Sequence, residues 1–128
     1  MLDSTFLHDI LRDDPDAVER LHELIDAREP VALSALTVFE VGVGLRGEAD
    51  AYRAQFVDVV DRLEVIPLGV DEARAALEIQ RALYDRGEPI GAVDVLIAGT
   101  AARQEDTRVL TRNVGEFERV GAIGVESY

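Results

Sequence analysis

Cysteine, tryptophan and lysine are absent from this sequence of 128 residues. Without cysteine the chain has neither disulfides nor thiolate metal sites, so any metal must be held by oxygen atoms or by the two histidines. No apolar run reaches the roughly 18 residues needed to cross a bilayer. The first residues carry Asp3, His8 and Asp9 instead of a basic and then apolar leader. We therefore expect one soluble, cytoplasmic domain over residues 1–128 with no membrane segment.

The charge balance is strongly acidic. Asp and Glu number 26 against 13 basic residues, all of them arginine, and the formal net charge is -13. A dense carboxylate surface without lysine is typical of a salt-rich cytoplasm, where screening suppresses self-repulsion, so we interpret the chain as halophilic. The same acidity disfavours nucleic-acid binding through basic patches. A nuclease with this composition would need divalent cations to meet the phosphate, with scattered arginines supplying the remaining contacts.

Helical periodicity alternates with short β-branched runs, which predicts an α/β fold with a parallel sheet. The chain shows no internal repeat, low-complexity tract or linker. The predicted strands cover residues 1–2, 31–33, 64–68, 108–110 and 123–125. The predicted helices run to Leu11 and then over 16–28, 35–45, 49–63, 70–86 and 90–103, with a short helical turn at 114–118.

Three acidic residues stand out from the solvated majority. Asp3 directly follows the first strand, at the carboxyl end where open α/β sheets place ligands, although an Asp there also suits a helix N-cap. Glu40 lies in an otherwise uncharged helix, where burial without a partner would cost several kcal/mol; the alternative is an exposed Glu on the solvent side. Asp94 is the only charge in a long apolar helix and falls in its first turn if Gly91 caps it, where the helix dipole alone would also favour a carboxylate.

A polar segment follows the predicted strand that ends at Leu110. Thr111, Asn113 and Glu116 offer oxygen atoms to a metal or its waters, and Arg112 is placed to contact a phosphate. The alternative is a polar turn capped by Asn113. Thr5, next to Asp3, adds a hydroxyl to the same pocket.

Carboxylates gathered in one pocket repel and raise one another's pKa unless a divalent cation neutralises them. All-oxygen ligands select Mg²⁺ or Mn²⁺ over zinc, and such a site activates water for attack on phosphorus. His8 and His22 lack ligand-like spacing and are expected at the surface. No glycine-rich phosphate loop, Ser/His/Asp trio or dinucleotide fingerprint is present.

Four segments in this order resemble the PIN-domain ribonucleases, and within them the VapC-type toxins of toxin-antitoxin pairs. The resemblance covers essentially the whole chain. The matching segments are LDSTFL (2–7), SALTVFEV (34–41) with Gly44, IGAVDVLIAGTA (90–101), and LTRN (110–113) with EFERV (116–120).

The resemblance implies a three-layer α/β/α fold with a central parallel sheet of four to five short strands. It also implies an acidic Mg²⁺ or Mn²⁺ pocket, homodimerisation and inhibition by a cognate antitoxin protein. By position, Asp3 and Asp94 would be metal ligands and Glu40 the third acid. Asn113 stands where some members have Asp, and we expect Glu116 to replace it in part. The first strand is shorter than in most members, so it is either very short or trimmed.

The leading hypothesis is a Mg²⁺- or Mn²⁺-dependent endoribonuclease that acts as the toxin of a type II toxin-antitoxin system and cleaves RNA with metal-activated water. Asp3 and Asp94 would position the metal, while Glu40 and Glu116 orient water or a second ion. Two alternatives remain open: a housekeeping PIN nuclease in RNA maturation, and a non-enzymatic acidic halophilic binding module.

Overall fold

Five short parallel segments form one sheet in the computed structural model, which describes all residues from 1 to 128. Leu2 lies at the centre, bridged to Leu33 on one side and to Leu110 on the other. The first strand is therefore very short. The sheet order is β2, β1, Leu2, β3, β4, where the strands are β1 (Ala32–Ser34), β2 (Glu64–Ile66), β3 (Arg108–Leu110) and β4 (Gly124–Glu126).

Seven α-helices connect and cover these strands, close to the predicted positions. No helix is both long and apolar enough to span a membrane. The helices are α1 (Ser4–Leu11), α2 (Pro15–Asp26), α3 (Ala35–Val43), α4 (Arg53–Arg62), α5 (Val70–Asp85), α6 (Ala92–Ala102) and α7 (Val114–Phe117).

Three boundaries differ from the prediction for local reasons. The helix predicted over 49–63 begins instead as a 3₁₀ helix, Gly47–Tyr52, which has no side-chain cap; tight turns of this kind are frequent at helix starts. Strand β2 ends at Ile66 because Pro67 has no amide hydrogen for the ladder. Helix α2 starts at Pro15, since the Asp14 side chain accepts from the first amides of the helix.

Two hydrophobic clusters lie on opposite faces of the sheet. One contains Leu2, Leu33 and Leu110 together with apolar residues of α1, α2 and α3. The other contains Val109 with apolar residues of α5, α6 and α7. Neighbouring strand residues such as Val109 and Leu110 point to opposite faces because the side-chain period is two. The predicted three-layer arrangement is confirmed.

Helices α5 and α6 pack with their backbones in close approach. A Cβ at Gly99 would lie 2.6 Å from the amide nitrogen of Ala76 and 2.7 Å from its Cβ, so only glycine fits there. Further along, the Gln80 side chain bonds both main-chain groups of Ile90, accepting from its amide at 3.2 Å and donating to its carbonyl at 2.6 Å. Helix α5 thus determines where α6 begins, and α6 carries Asp94.

Replacing Gly99 with Ala should lower the free energy of unfolding by about 1–3 kcal/mol, because the added methyl group overlaps the α5 backbone. An open helical position would instead gain up to about 1 kcal/mol in helix propensity. Urea denaturation measures whether the free energy of unfolding of Gly99→Ala falls or rises. Gly121→Ala, where a Cβ meets no atom within 4 Å, is the matched control and should change stability by less than about 0.5 kcal/mol. A stabilised Gly99→Ala variant would contradict the packing described.

Candidate active site

Four acidic residues lie on elements that meet at the carboxyl edge of the sheet. Asp3 follows the central segment, Glu40 lies on α3, which starts directly after β1, and Asp94 is in the first turn of α6. Glu116 lies on α7, which follows β3 by a short loop. The carboxyl ends of parallel strands share one edge, which is where α/β folds place their ligands.

The Asp3 carboxylate is buried, with 3% of the residue exposed. Its Oδ1 accepts from the Phe6 amide at 3.1 Å and from the Thr5 hydroxyl at 2.7 Å. Its Oδ2 accepts from the Thr111 hydroxyl. Asp3 is therefore the N-cap of α1 as well as a member of the acidic group. Burial raises the pKa of Asp3 above its usual value, and these three hydrogen bonds oppose that shift.

Asp94 and Glu116 share the amide group of Asn113. Asn113 Nδ2 lies 3.3 Å from Asp94 Oδ2 and 3.5 Å from Glu116 Oε2. Burial, a hydrogen bond to Glu116 and the charges of Glu116, Glu40 and Asp3 raise the pKa of Asp94 to about 7. The same hydrogen bond lowers the pKa of Glu116. Asp94 therefore favours its protonated form below about pH 7, and its pKa depends on the charges of the other three acids.

Glu40 is half-buried and makes no hydrogen bond or ion pair with another residue. A buried Glu40 would need a partner, and no side chain of the protein supplies one. Its link to the site is electrostatic, through its effect on the pKa of Asp94.

The carboxylate oxygens of these four acids are suitable ligands for a hard cation, but the side chains are not close enough together to form a complete metal site. No three Asp, Glu or His side chains lie close enough together to form a ready-made metal site. None of the four acids forms a salt bridge with an arginine, so their negative charge is only weakly compensated, by Arg119 near Glu116. The buried hydroxyls of Ser4, next to Asp3, and of Thr37, one turn before Glu40, have no hydrogen-bond partner. Unpaired oxygen ligands and weakly compensated negative charge suit Mg²⁺ or Mn²⁺.

The family model of the PIN domain matches residues 1–123. The chain belongs to the PIN domain family. Ribonuclease VapC19 of Mycobacterium tuberculosis is 37% identical over 118 residues, which cover 91% of this chain and 90% of that protein. The tRNA(fMet)-specific endonuclease VapC of Shigella flexneri is 28% identical over 130 residues, covering 100% and 96%. The resemblance inferred from the sequence motifs is confirmed.

Solved structures agree on the fold. A chain of VapBC2 from Rickettsia felis, crystallised with a fragment of promoter DNA, superposes with a TM-score of 0.88 at 24% identity, covering 100% of this chain and 97% of that one. VapBC-5 of Mycobacterium tuberculosis, a member of the VapBC family of toxin-antitoxin systems, gives a TM-score of 0.64 at 27% identity, covering 76% and 79%.

Arg112 of this PIN domain does not face the acidic group. Its Nε lies 3.1 Å from Asp9 and its Nη2 lies 2.9 Å from Asp14. The guanidinium also stacks 4.7 Å from the ring centre of Tyr128. Arg112 also lies 3.7 Å from Asp16, so a phosphate at Arg112 would compete with three carboxylates, and the phosphate contact stays a prediction.

Arg112 instead anchors the loop that carries Thr111 and Asn113. Its amide donates to the Thr5 hydroxyl at 3.1 Å, and that hydroxyl donates to Asp3. The sequence did not reveal Asp9 and Tyr128, which share a hydrogen bond of 2.7 Å across 119 residues of chain. Asn113 precedes α7 but makes no side-chain cap, so the alternative of a simple capped turn is wrong.

Asp94→Asn should stabilise this PIN domain at pH 8 in EDTA and leave stability unchanged at pH 4. The pKa of Asp94 is higher in the folded protein than in the unfolded chain. The stability of wild type is therefore unaffected by this residue below about pH 4, and it falls as pH rises through about 7 and Asp94 ionises. Since Asp94 is only half-buried, we expect about 1 kcal/mol after solvent screening, or roughly 3–6 °C in Tm. Thermal unfolding measures this, with the exposed Asp26→Asn as control. Equal pH profiles for Asp94→Asn and wild type would contradict the clustering of charge.

Thr111→Val should destabilise the protein by about 1–3 kcal/mol, because it removes a hydrogen bond from a buried carboxylate. Thr37→Val is the matched control, since Thr37 is equally buried but its hydroxyl has no partner. That change should be neutral or stabilising. Urea denaturation in EDTA compares the two, and similar losses would show that the Thr111 contact with Asp3 is unimportant.

Proposed function

We propose that this protein is a divalent-cation-dependent endoribonuclease of the VapC type, the toxin of a type II toxin-antitoxin pair. The observation that carries the proposal is the group of four acids at the carboxyl edge of a PIN fold, none of them paired with an arginine. Such weakly compensated charge is costly in a purely structural site. Its presence in this place supports a catalytic role.

Asp3, Glu40 and Asp94 would hold Mg²⁺ or Mn²⁺, with Glu116 nearby. A bound divalent cation lowers the pKa of water and stabilises negative charge on a transferring phosphoryl group. Asp3 is preorganised by its bonds to Thr5, Thr111 and the start of α1. Because carboxylate ligands must be ionised, Asp94 has to release its proton, and cation affinity should rise with pH through about 7.

Glu116 and Asn113 would act on water and not on the cation directly. Glu116 is the more acidic partner of Asp94 and stays ionised while Asp94 holds the proton. An ionised carboxylate beside the cation site accepts a proton from, or orients, an attacking water. Asn113 keeps the two carboxyl groups at a fixed spacing through its Nδ2.

RNA, a cognate antitoxin and a second copy of the chain are the partners in the proposal. RNA as substrate is supported by relatives that are named a ribonuclease and a tRNA-specific endonuclease. A cognate antitoxin is supported by the likeness to VapBC-5, and a homodimer by exposed apolar surface. Phe39, on α3 next to Glu40, is 71% exposed, which suits coverage by an antitoxin. Val70, Leu77 and Tyr84 form an exposed stripe along α5 that suits a second copy.

Replacing Asp3 or Asp94 with Asn should reduce RNA cleavage by about 100-fold or more, because each change removes a cation ligand. Cleavage of total RNA by purified protein with Mn²⁺, and growth arrest on expression, are the measurements. Asp26→Asn, an exposed acid on α2, should cleave and arrest growth like wild type. Full activity of either Asn variant would disprove the site.

Calorimetric titration with Mn²⁺ separates the enzyme from a merely acidic binding protein. Wild type should show a saturable site of micromolar to millimolar affinity that weakens below pH 7, and Asp94→Asn should lose it. Heat that grows without saturation, equal in both proteins, would indicate surface charge alone. A toxin also requires that co-expressed antitoxin restore growth, and cleavage without growth arrest would indicate a housekeeping nuclease.

A further inference from the structure

A cavity next to the acidic site carries positive charge in this otherwise acidic protein. It has a volume of about 290 Å³ and lies at the carboxyl end of α5. Arg86 and Arg119 line it, with Glu78 as the acid among its lining residues and Leu83 and Val120 among the apolar ones. We call it the arginine cavity.

The arginine cavity is separated from the acids by one short segment. Arg119 Nη1 donates to the carbonyl of Pro89 at 3.3 Å, and the Arg119 amide donates to the carbonyl of Glu116 at 3.2 Å. Two residues beyond Pro89, a Cβ on Gly91 would lie 3.7 Å from Asp94 Oδ2 and 4.0 Å from Glu116 Oε2. The segment 89–91 therefore contacts Arg119 at Pro89 and borders the site carboxylates at Gly91.

Arg119 makes no ion pair, whereas Arg112 makes three. No carboxylate lies within 4 Å of the Arg119 guanidinium, which donates only to the Pro89 carbonyl and keeps most of its five N–H donors. Its charge adds to the hydrogen bonds from Asp94 and Asn113 that lower the pKa of Glu116. Arg86 donates to the Arg119 carbonyl at 2.8 Å and lies 3.8 Å from Glu88, a loose and exposed pair.

The chemistry of the cavity matches one unit of a nucleic-acid chain. Guanidinium groups bind phosphate oxygens in a bidentate manner and stack on bases. Apolar side chains beside them offer a surface for the ribose or the face of a base. In a chain of net charge -13, a cationic cavity next to the acids is where a phosphodiester strand meets the least repulsion.

We propose that the arginine cavity is an RNA subsite in which Arg119, supported by Arg86, binds the phosphate adjacent to the one cleaved at the acidic site. This inference rests on the proposed endoribonuclease function. It assigns Arg119 to substrate binding, whereas the acids perform the chemistry.

Binding and cleavage by Arg119→Gln test the subsite. Binding of a short fluorescein-labelled single-stranded RNA is followed by anisotropy in Ca²⁺, and cleavage of the same RNA is followed in Mn²⁺. We expect affinity to fall by about 10- to 150-fold, the range for a hydrogen bond to a charged group. KM should rise with little change in kcat. The slope of log affinity against log salt concentration should become shallower by about 0.7, the value for one phosphate contact on a single strand.

Arg74→Gln is the matched control. Arg74 is an exposed arginine without an ion pair, and it lies on α5, the helix that lines the arginine cavity. It lies near the opposite end of α5, before the Ala76 contact with Gly99, and so at the far end of α6 from Asp94. Arg74→Gln should bind and cleave like wild type. Arg119→Lys should recover most of the salt slope, since it restores the charge without the planar fork. Thermal unfolding verifies that each variant is folded.

The outcomes separate this subsite from the proposed function. Arg119-dependent binding without cleavage by wild type would support the subsite and refute the nuclease. Cleavage by wild type with Arg119→Gln indistinguishable from Arg74→Gln would refute the subsite alone. Unchanged RNA binding together with lost inhibition by a co-expressed antitoxin would overturn the subsite in favour of an acidic protein partner. Absence of RNA binding by wild type would also overturn it.

Discussion

The buried carboxylate of Asp3 is the contact on which the site depends. Asp3 ends the central segment of the sheet, caps α1 through the Phe6 amide, and accepts from Thr111 at the end of β3. One side chain therefore ties the sheet centre, the first helix and the 111–113 loop together. A buried carboxylate needs such bonds, because an unpaired charge in the interior would cost several kcal/mol. The same hydrogen bonds therefore stabilise the fold and fix the position of the Asp3 carboxylate.

Electrostatic repulsion among the acids is the second constraint, and the protein moderates it in two ways. The pKa of Asp94 is raised to about 7, so this acid is protonated below that pH, while the pKa of Glu116 is lowered. Asn113 separates their oxygens with a neutral amide. A bound divalent cation would neutralise the carboxylates directly, and its binding would require Asp94 to release the proton. The arginines beside the site divide into two roles for the same electrostatic reason: Arg112 is neutralised by Asp9 and Asp14, and Arg119 is not.

Much of the fold was accessible from local sequence patterns. Ser34 and Gly91 begin α3 and α6 as expected, and the parallel layered arrangement follows from alternating helices and strands. The boundaries that differ from the prediction depend on single residues such as Pro67, which ends β2 because it has no amide hydrogen. The close contact at Gly99 was not predictable, because a glycine within an apolar helix gives no indication of which backbone packs against it.

By itself the sequence determined the kind of chemistry. It supplied oxygen donors without thiolates, marked Asp3 and Asp94 by their uncharged surroundings, and set the order of elements that brings strand ends to one edge. Only the tertiary structure decided which charges act on one another. The charges of Glu40 and Asp3 raise the pKa of Asp94. Tyr128 stacks on Arg112, whereas Arg119 makes no ion pair and lies near Glu116. The physical reason is that Coulomb interactions depend on distance and burial, and neither quantity is specified by residue type until the distant segments pack together.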